Sequence, residues 1–75
     1  MYLEKFISLF AEEFDETPAD VFNPETVYKD LDEWDSLTAL SIIAMIDDEF
    51  EKEITGADLR NCTTIKDLHE LIIEL

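Results

Sequence analysis

Apolar residues near the start of the chain recur at helical spacing. They lie three or four residues apart, at Leu3, Phe6, Ile7, Phe10 and Phe14. This spacing places them on one face of an α-helix. The pattern therefore predicts an amphipathic helix over about residues 2–14, with its phenylalanines in a core.

A second helical pattern begins at Asp35 and Ser36, both good N-cap residues, and predicts a helix over about residues 36–52. Successive residues of a helix turn by about 100°. One apolar stripe, as wide as an ordinary core-facing surface, contains Ala39, Ile42, Ile43, Ile46 and Phe50. A second stripe, nearly opposite, contains Leu37, Leu40, Ala44 and Asp48. A small domain has one core, so we expect the second stripe to be exposed at least in part.

A long connection joins these two helices, and Pro18 and Pro24 mark it. It contains too many apolar groups to leave in water, namely Val21, Phe22, Val27, Tyr28, Leu31 and Trp34. We expect a turn of helix near residues 19–22 and an ordered loop packed across the helices. A loop of this length in so small a domain is usually either functional or wrongly assigned, and we favour a functional loop because it leads to Ser36.

The segment after the central helix is short and contains Gly56, the only glycine. Ile54 is expected to anchor this segment in the core, and Gly56 is expected to mark the turn that follows the helix. Residues 57–61 can form one short helical turn with Leu59 pointing inward.

The end of the chain carries the signals of a last helix. Thr63 or Thr64 is the expected N-cap, and Thr64 with Asp67 resembles a capping box. The expected buried face consists of Ile65, Leu68, Leu71, Ile72 and Leu75. Together these segments predict an all-α fold, a small bundle of three main helices plus one short helix. The chain contains no strand-like alternation and no hairpin signal, so residues 1–75 are expected to form a single domain.

Charge narrows the classes of partner. The formal net charge is −15, from 20 acidic and 5 basic residues. Nucleic acid and anionic membranes are therefore poor partners, whereas proteins with basic patches are complementary. A merely solubilising acidic surface is the alternative. No apolar run approaches membrane length, and no signal peptide is visible, so the expected location is cytoplasmic.

The residue types do not favour an enzyme. Ser36 would need a base to act as a nucleophile, and His69, the only histidine, is expected to be a solvated surface residue. Cys62 is the only cysteine, which excludes an internal disulfide, and a small buried apolar role is expected for it. The acids around Asp32 do not fit a calcium loop, because Asp35 stands where that loop needs glycine. No metal site is therefore expected.

Ser36 has two possible roles, as a simple helix cap or as the acceptor of a group transferred by another enzyme. Several motifs favour the second role. The chain reads Asp35-Ser36-Leu37 at a helix start, then acids at residues 47–49, then Phe50, Glu53, Ile54 and a Thr-Thr-Ile before the last helix. In this it resembles acyl carrier proteins, without a gap from Asp35 to Ile72 and more weakly before Asp35.

The resemblance implies a four-helix carrier bundle that is monomeric and is not itself an enzyme. It implies that Ser36 receives 4′-phosphopantetheine from coenzyme A through a separate, magnesium-dependent phosphopantetheinyl transferase. The thiol of that arm would carry acyl groups as thioesters to acyl-processing enzymes. Asp35 matches the acid before that serine, and the second stripe (Leu37, Leu40, Ala44 and Asp48) matches the family's partner face. A phosphodiester on Ser36 would sit at a helix N-terminus, which favours anions, but Asp35 opposes it. We therefore expect that phosphate to stay in solvent.

The chain also departs from the family pattern. Many members have a glycine two residues before the aspartate, where this chain has Glu33, and its approach from Leu31 is one residue longer. Thr38 and Ser41 stand where fatty-acid carriers commonly have acids. The cargo could therefore belong to fatty-acid, polyketide or another specialised biosynthesis, or be an aminoacyl or peptidyl group. The alternative from another class is a non-covalent acidic adaptor that uses the same face.

Overall fold

The computed structural model describes residues 2–75 and confirms the all-α prediction. Four helices occur in the order α1 (Leu3–Glu12), α2 (Ser36–Phe50), α3 (Gly56–Asn61) and α4 (Ile65–Glu74). Two 3₁₀ turns, Ala19–Val21 and Tyr28–Asp30, lie in the connection between α1 and α2. Strand-type pairing in the described part of the chain consists of one isolated bridge between Val27 and Thr64. None of the described helices is long and apolar enough to cross a membrane.

α1 supplies aromatic side chains to the core, as its spacing predicts. Phe6 and Phe10 are completely buried, and Phe14 is buried just beyond the helix end. The helix ends at Glu12, earlier than predicted, because the amides that follow bond three residues back rather than four. The Phe14 N–H donates to the carbonyl of Ala11 at 3.0 Å, which tightens the last turn as is common at helix ends.

The long connection is an ordered part of the core, as predicted. Phe22 and Tyr28 are buried, whereas Val21 and Val27 remain partly exposed. The Tyr28 ring lies 5.6 Å from that of Phe10 and 4.9 Å from that of Trp34. These contacts join α1 to the residues that immediately precede α2, so the aromatic core fixes where α2 begins.

α2 has the two faces expected from its sequence. Ile42 and Ile46 are completely buried, while Leu37 and Leu40 are 74% and 62% exposed. Met45 is also buried, and it was missed because the predicted apolar arc was drawn too narrowly. A helix buries about three or four positions every two turns, and Met45 lies about 60° beyond the Ile42 edge of that arc.

The turn after α2 differs from its prediction. The helix ends at Phe50, and Glu51 takes the left-handed conformation with φ 56°. Its N–H donates to the Asp47 carbonyl at 3.0 Å. Gly56 instead starts α3 and has no positive φ. The expectation that Gly56 marks the turn after α2 was therefore wrong, because Glu51, a non-glycine residue, takes the left-handed position that ends this helix.

A capping box begins each of the last two helices, the short α3 and the longer α4. Thr64 caps α4 with Asp67, as predicted, and Thr55 caps α3 with Asp58 in the same way. In each box the threonine oxygen accepts from a backbone N–H, and the aspartate accepts from the threonine N–H. Asp is therefore long enough to close the box here. Leu59 points inward from α3, as expected.

Two expectations for α4 were wrong. His69 is buried, with 9% exposure, and its ring lies 5.7 Å from that of Phe6. It follows Ile65 by one helical turn and precedes Ile72 by three residues, so it shares their face. Leu75 is 54% exposed because α4 ends at Glu74 and the last residue no longer follows its buried stripe.

Tyr28 ties the connection to α3 through its hydroxyl. The hydroxyl donates to the Leu59 carbonyl at 2.5 Å and also lies 3.2 Å from the Cys62 carbonyl. Burial raises the pKa of this phenol well above its usual range, so the hydroxyl remains a donor at any physiological pH.

Tyr28→Phe is expected to lower the free energy of unfolding by about 1–3 kcal/mol, because it leaves buried carbonyls without their partner. Urea denaturation measures the change. Tyr2→Phe is the matched control, since Tyr2 is exposed and its hydroxyl change should have little effect. Equal stability of the two variants would show that the Tyr28 hydroxyl does not hold α3.

Candidate functional site

Ser36 occupies the first position of α2 and is exposed. The residue before it, Asp35, is the N-cap: its Oδ1 accepts the Thr38 N–H at 2.8 Å. This decides between the two cap candidates in favour of Asp35. The helix therefore does not need the Ser36 hydroxyl, which faces solvent at a helix N-terminus and is free for chemistry.

Asp35 is held in its charged form. Its hydrogen bond from the Thr38 backbone N–H lowers the pKa of the carboxyl below its usual value. The site therefore carries a fixed negative charge directly beside the serine. Any anion attached to Ser36 experiences this charge unless a cation offsets it.

Glu33 fastens the turn before α2 to the end of α1. Its carboxylate accepts the N–H groups of Asp15 and Glu16 at 3.1 and 2.9 Å, and the Thr17 hydroxyl. The bond from Thr17 is the main reason that the pKa of Glu33 is lowered. The Glu33 carbonyl also accepts the Thr38 hydroxyl at 3.1 Å. In the sequence, Glu33 stands out only as the residue that replaces the family's glycine, and no local pattern indicates this role.

A cleft of about 290 Å³ opens beside Ser36. Its walls come from the turn before α2, the start of α2 and helix α3, and they consist of Lys29, Trp34, Asp35, Ser36, Ala39, Gly56, Leu59 and Arg60. This volume is at the lower end of that of small-molecule sites. The cleft combines an apolar wall with two cationic side chains. Neither Lys29 nor Arg60 was identified as a site residue from the sequence, because only the folded chain brings them to Ser36.

The predicted second stripe of α2 is exposed in the structure. Leu37, Leu40, Ala44 and Asp48 all face solvent, so their expected exposure is confirmed. Leu37 and Leu40 are the two most exposed leucines of the domain. The stripe begins directly beside Ser36 and runs toward the acidic end of α2, where Asp47, Asp48 and Glu49 are also exposed. Its role in partner recognition stays a prediction.

The side chains of His69 and Cys62 do not line the cleft beside Ser36. His69 packs against Phe6 in the core. Cys62 is half-buried against the core, and burial, the largest cause, raises the pKa of its thiol. Within residues 2–75, no group of three or more His, Cys, Asp or Glu side chains could hold a metal ion. The arrangement around Ser36 therefore offers an accessible hydroxyl at the edge of the cleft.

Comparison with known families supplies an independent finding. A family model described as the phosphopantetheine attachment site matches residues 4–72, which is nearly the whole chain. The curated proteins and the solved structures gave no match. The family match includes α2, α3 and the Ser36 turn completely, and all but the outer ends of α1 and α4.

Proposed function

The chain belongs to the acyl-carrier-type family of phosphopantetheine attachment domains, and from this premise we propose that Ser36 is its attachment residue. Domains of this family are the site at which 4′-phosphopantetheine is covalently attached, and the protein is a phosphopantetheine-carrying carrier protein. The observation that supports Ser36 most strongly is that its hydroxyl is exposed at the start of α2 while Asp35 performs the capping.

The residues around Ser36 fit such a group. The serine opens onto solvent and onto the neighbouring cleft, whose walls include Trp34 and Ala39, so an attached chain meets no steric block. In the loading reaction the Ser36 oxygen would attack the pantetheine-side phosphorus of the coenzyme A pyrophosphate and lose its proton to a base of the transferase. The bond between that phosphorus and the bridging oxygen would break, and the nucleotide would leave with that oxygen as adenosine 3′,5′-bisphosphate. Once attached, the group supplies a terminal thiol that carries acyl groups as thioesters.

The exposed stripe of α2 is proposed as the surface that partner enzymes contact. Its apolar part, Leu37, Leu40 and Ala44, is bordered by Asp48, which fits an interface with an apolar centre and a charged rim. The net charge of −15 favours partners with basic patches. The proposed cargo is an acyl intermediate of fatty-acid, polyketide or related specialised biosynthesis, or an aminoacyl or peptidyl group, and the proposed location is cytoplasmic.

Loading with coenzyme A tests the proposed function. The purified protein is incubated with coenzyme A, magnesium and a transferase of broad specificity, and its mass is measured before and after. We expect a gain of one phosphopantetheine, with the modified peptide containing Ser36. An unchanged mass, with a transferase that loads a known carrier in parallel, would contradict the carrier function and favour the non-covalent adaptor.

Leu40→Asp is expected to slow loading about tenfold while leaving the melting temperature close to that of the wild type. Leu40 is 62% exposed, so a charge there stays hydrated in the free protein. In an apolar contact that charge loses water without gaining a partner, which costs about 1–3 kcal/mol. The rate of arm transfer at limiting protein concentration measures the effect.

Ile73→Asp is the matched control for this substitution. Ile73 is an exposed branched aliphatic residue on α4, 53% exposed, and lies outside the stripe. The Ile73→Asp substitution introduces the same charge, and the variant protein should be loaded at the wild-type rate. Equal slowing by both variants would mean that total charge, rather than the α2 stripe, governs the transferase.

A further inference from the structure

Cationic side chains are rare in this chain, and two of them line the cleft beside Ser36. The whole sequence contains 5 lysines and arginines against 20 acids. Lys29 comes from the second 3₁₀ turn and Arg60 from α3, and both border the cleft that Ser36 also lines. Elements separated by about thirty residues thus bring positive charge to the one exposed serine at the start of a helix.

Lys29 is held in a defined place. Its Nζ donates to the Arg60 carbonyl at 2.6 Å and lies 6.0 Å from the centre of the Tyr28 ring. An ammonium group has three N–H donors and a full positive charge. The bond to a neutral carbonyl uses one donor and does not neutralise the charge. Lys29 therefore keeps donors and charge for a further acceptor.

Arg60 lies against the backbone at the start of α3. A Cβ added to Gly56 would come within 3.4 Å of Arg60 Nη1, so the guanidinium lies directly over the glycine that forms part of the cleft wall. Among residues 2–75, no carboxylate forms an ion pair or hydrogen bond with the Lys29 or Arg60 side chain. Two cations without a carboxylate partner therefore line one cleft of a protein that has 20 acidic residues.

We propose that Lys29 and Arg60 form a subsite for the phosphodiester of the arm on Ser36, and that this subsite holds the first part of the arm against Trp34. This inference rests on the proposed function of Ser36. The phosphodiester is a permanent anion, and its attachment to a cleft residue makes its binding intramolecular and thus effective at a modest intrinsic affinity. Arginine and lysine are the usual protein partners of such phosphate groups.

The two cations of the subsite also oppose the repulsion between the Asp35 carboxylate and the phosphodiester on Ser36. From the sequence, the Asp35 carboxylate alone was expected to keep the phosphate in solvent. In the folded chain two cations line the same cleft as Asp35 and Ser36 and offset that single negative charge. The indole of Trp34 supplies an apolar wall for the two methyl groups that follow the phosphate in phosphopantetheine. The arm would then leave the protein surface from a fixed starting direction.

Nuclear magnetic resonance of the loaded protein tests this subsite. The Lys29→Gln/Arg60→Gln double variant removes both charges while retaining hydrogen-bond donors. Lys5→Gln/Lys66→Gln is the matched control, since it removes the same charge from two exposed lysines outside the cleft. All proteins are first loaded and weighed, which tests Ser36 separately from the subsite, and their melting temperatures confirm that they fold.

The readouts are the ³¹P shift of the phosphodiester and the nuclear Overhauser contacts between the arm methyl groups and the Trp34 indole. In the wild type and the control we expect these contacts, and a ³¹P shift different from that of free phosphopantetheine. In the double variant the contacts should be lost and the shift should return to the free value. High salt should act in the same direction, because it screens exposed charges.

Two outcomes would overturn the subsite while leaving Ser36 loading intact. One is a wild-type phosphodiester with the free ³¹P shift and no contact to Trp34. The other is an effect of Lys29 and Arg60 that appears only after a carboxylate-ended acyl group is loaded, which would assign the two cations to the cargo. Failure of the wild type to gain the arm would instead contradict the proposed function itself.

Discussion

Ser36→Ala protein should gain no phosphopantetheine under conditions that load the wild type completely, and it should fold and melt like the wild type. The loss is complete because the substitution removes the only proposed acceptor oxygen. The fold is preserved because Asp35, not Ser36, accepts the Thr38 N–H. Surface substitutions of this kind usually change the free energy of unfolding by less than about 0.5 kcal/mol. Intact mass and thermal melting are the two measurements.

Ser41→Ala provides the control. Ser41 is also an exposed serine of α2, and its substitution should leave loading unchanged. Loading of the Ser36→Ala protein at any rate near that of the wild type would place the arm on another residue. A large loss of stability in Ser36→Ala would contradict the assignment of the cap to Asp35.

Ile46→Ala should lower the free energy of unfolding by about 2–5 kcal/mol, the usual cost of emptying a buried aliphatic site. Ile46 is completely buried on the core face of α2. Small domains are stable by only about 5–15 kcal/mol in total, so a substantial fraction of this variant should be unfolded at moderate temperature. Urea denaturation followed by circular dichroism gives the free energy directly.

Ile73→Ala tests whether burial is the cause of that loss. The same side chain is removed from an exposed position on α4, so the expected change is within about 0.5 kcal/mol. If Ile46→Ala were tolerated while Leu40→Asp unfolded the protein, the two faces of α2 would be inverted. If both substitutions unfolded it, α2 would be buried all round.

The helical part of the fold could be predicted because its signals are local. The spacing of Phe6, Phe10 and Phe14 and the capping box at Thr64 each depend on residues within a few positions of one another, and all have the expected structural role. The burial of His69 was not predicted, because the buried face of α4 was assigned from its apolar residues alone and His69 lies on the same face as Ile65 and Ile72. The fate of Leu75 depended on where α4 ends, and helix ends are set by weak competing bonds.

The candidate site was predictable only in part, for a different physical reason. Asp35 and Ser36 could be placed at a helix start from their own sequence, although the choice of cap between them required the Thr38 bond. Lys29 and Arg60 come to the cleft from separate elements, and charge alone does not indicate such tertiary neighbours. The role of Glu33 could not be predicted for the same reason, since its hydrogen-bond partners in residues 15–17 lie 16 to 18 residues earlier in the sequence.

The bonds of Glu33 also have a consequence for motion. Loops usually open independently of the helices they join, because few contacts restrain them. Here one carboxylate restrains residues 15–17, while the carbonyl of the same residue accepts a bond from Thr38 in α2. The loop after α1 and the first turn of α2 should therefore fluctuate as one cooperative unit. Any motion that reorients Ser36 during delivery of a cargo would then be transmitted to the loop that follows α1.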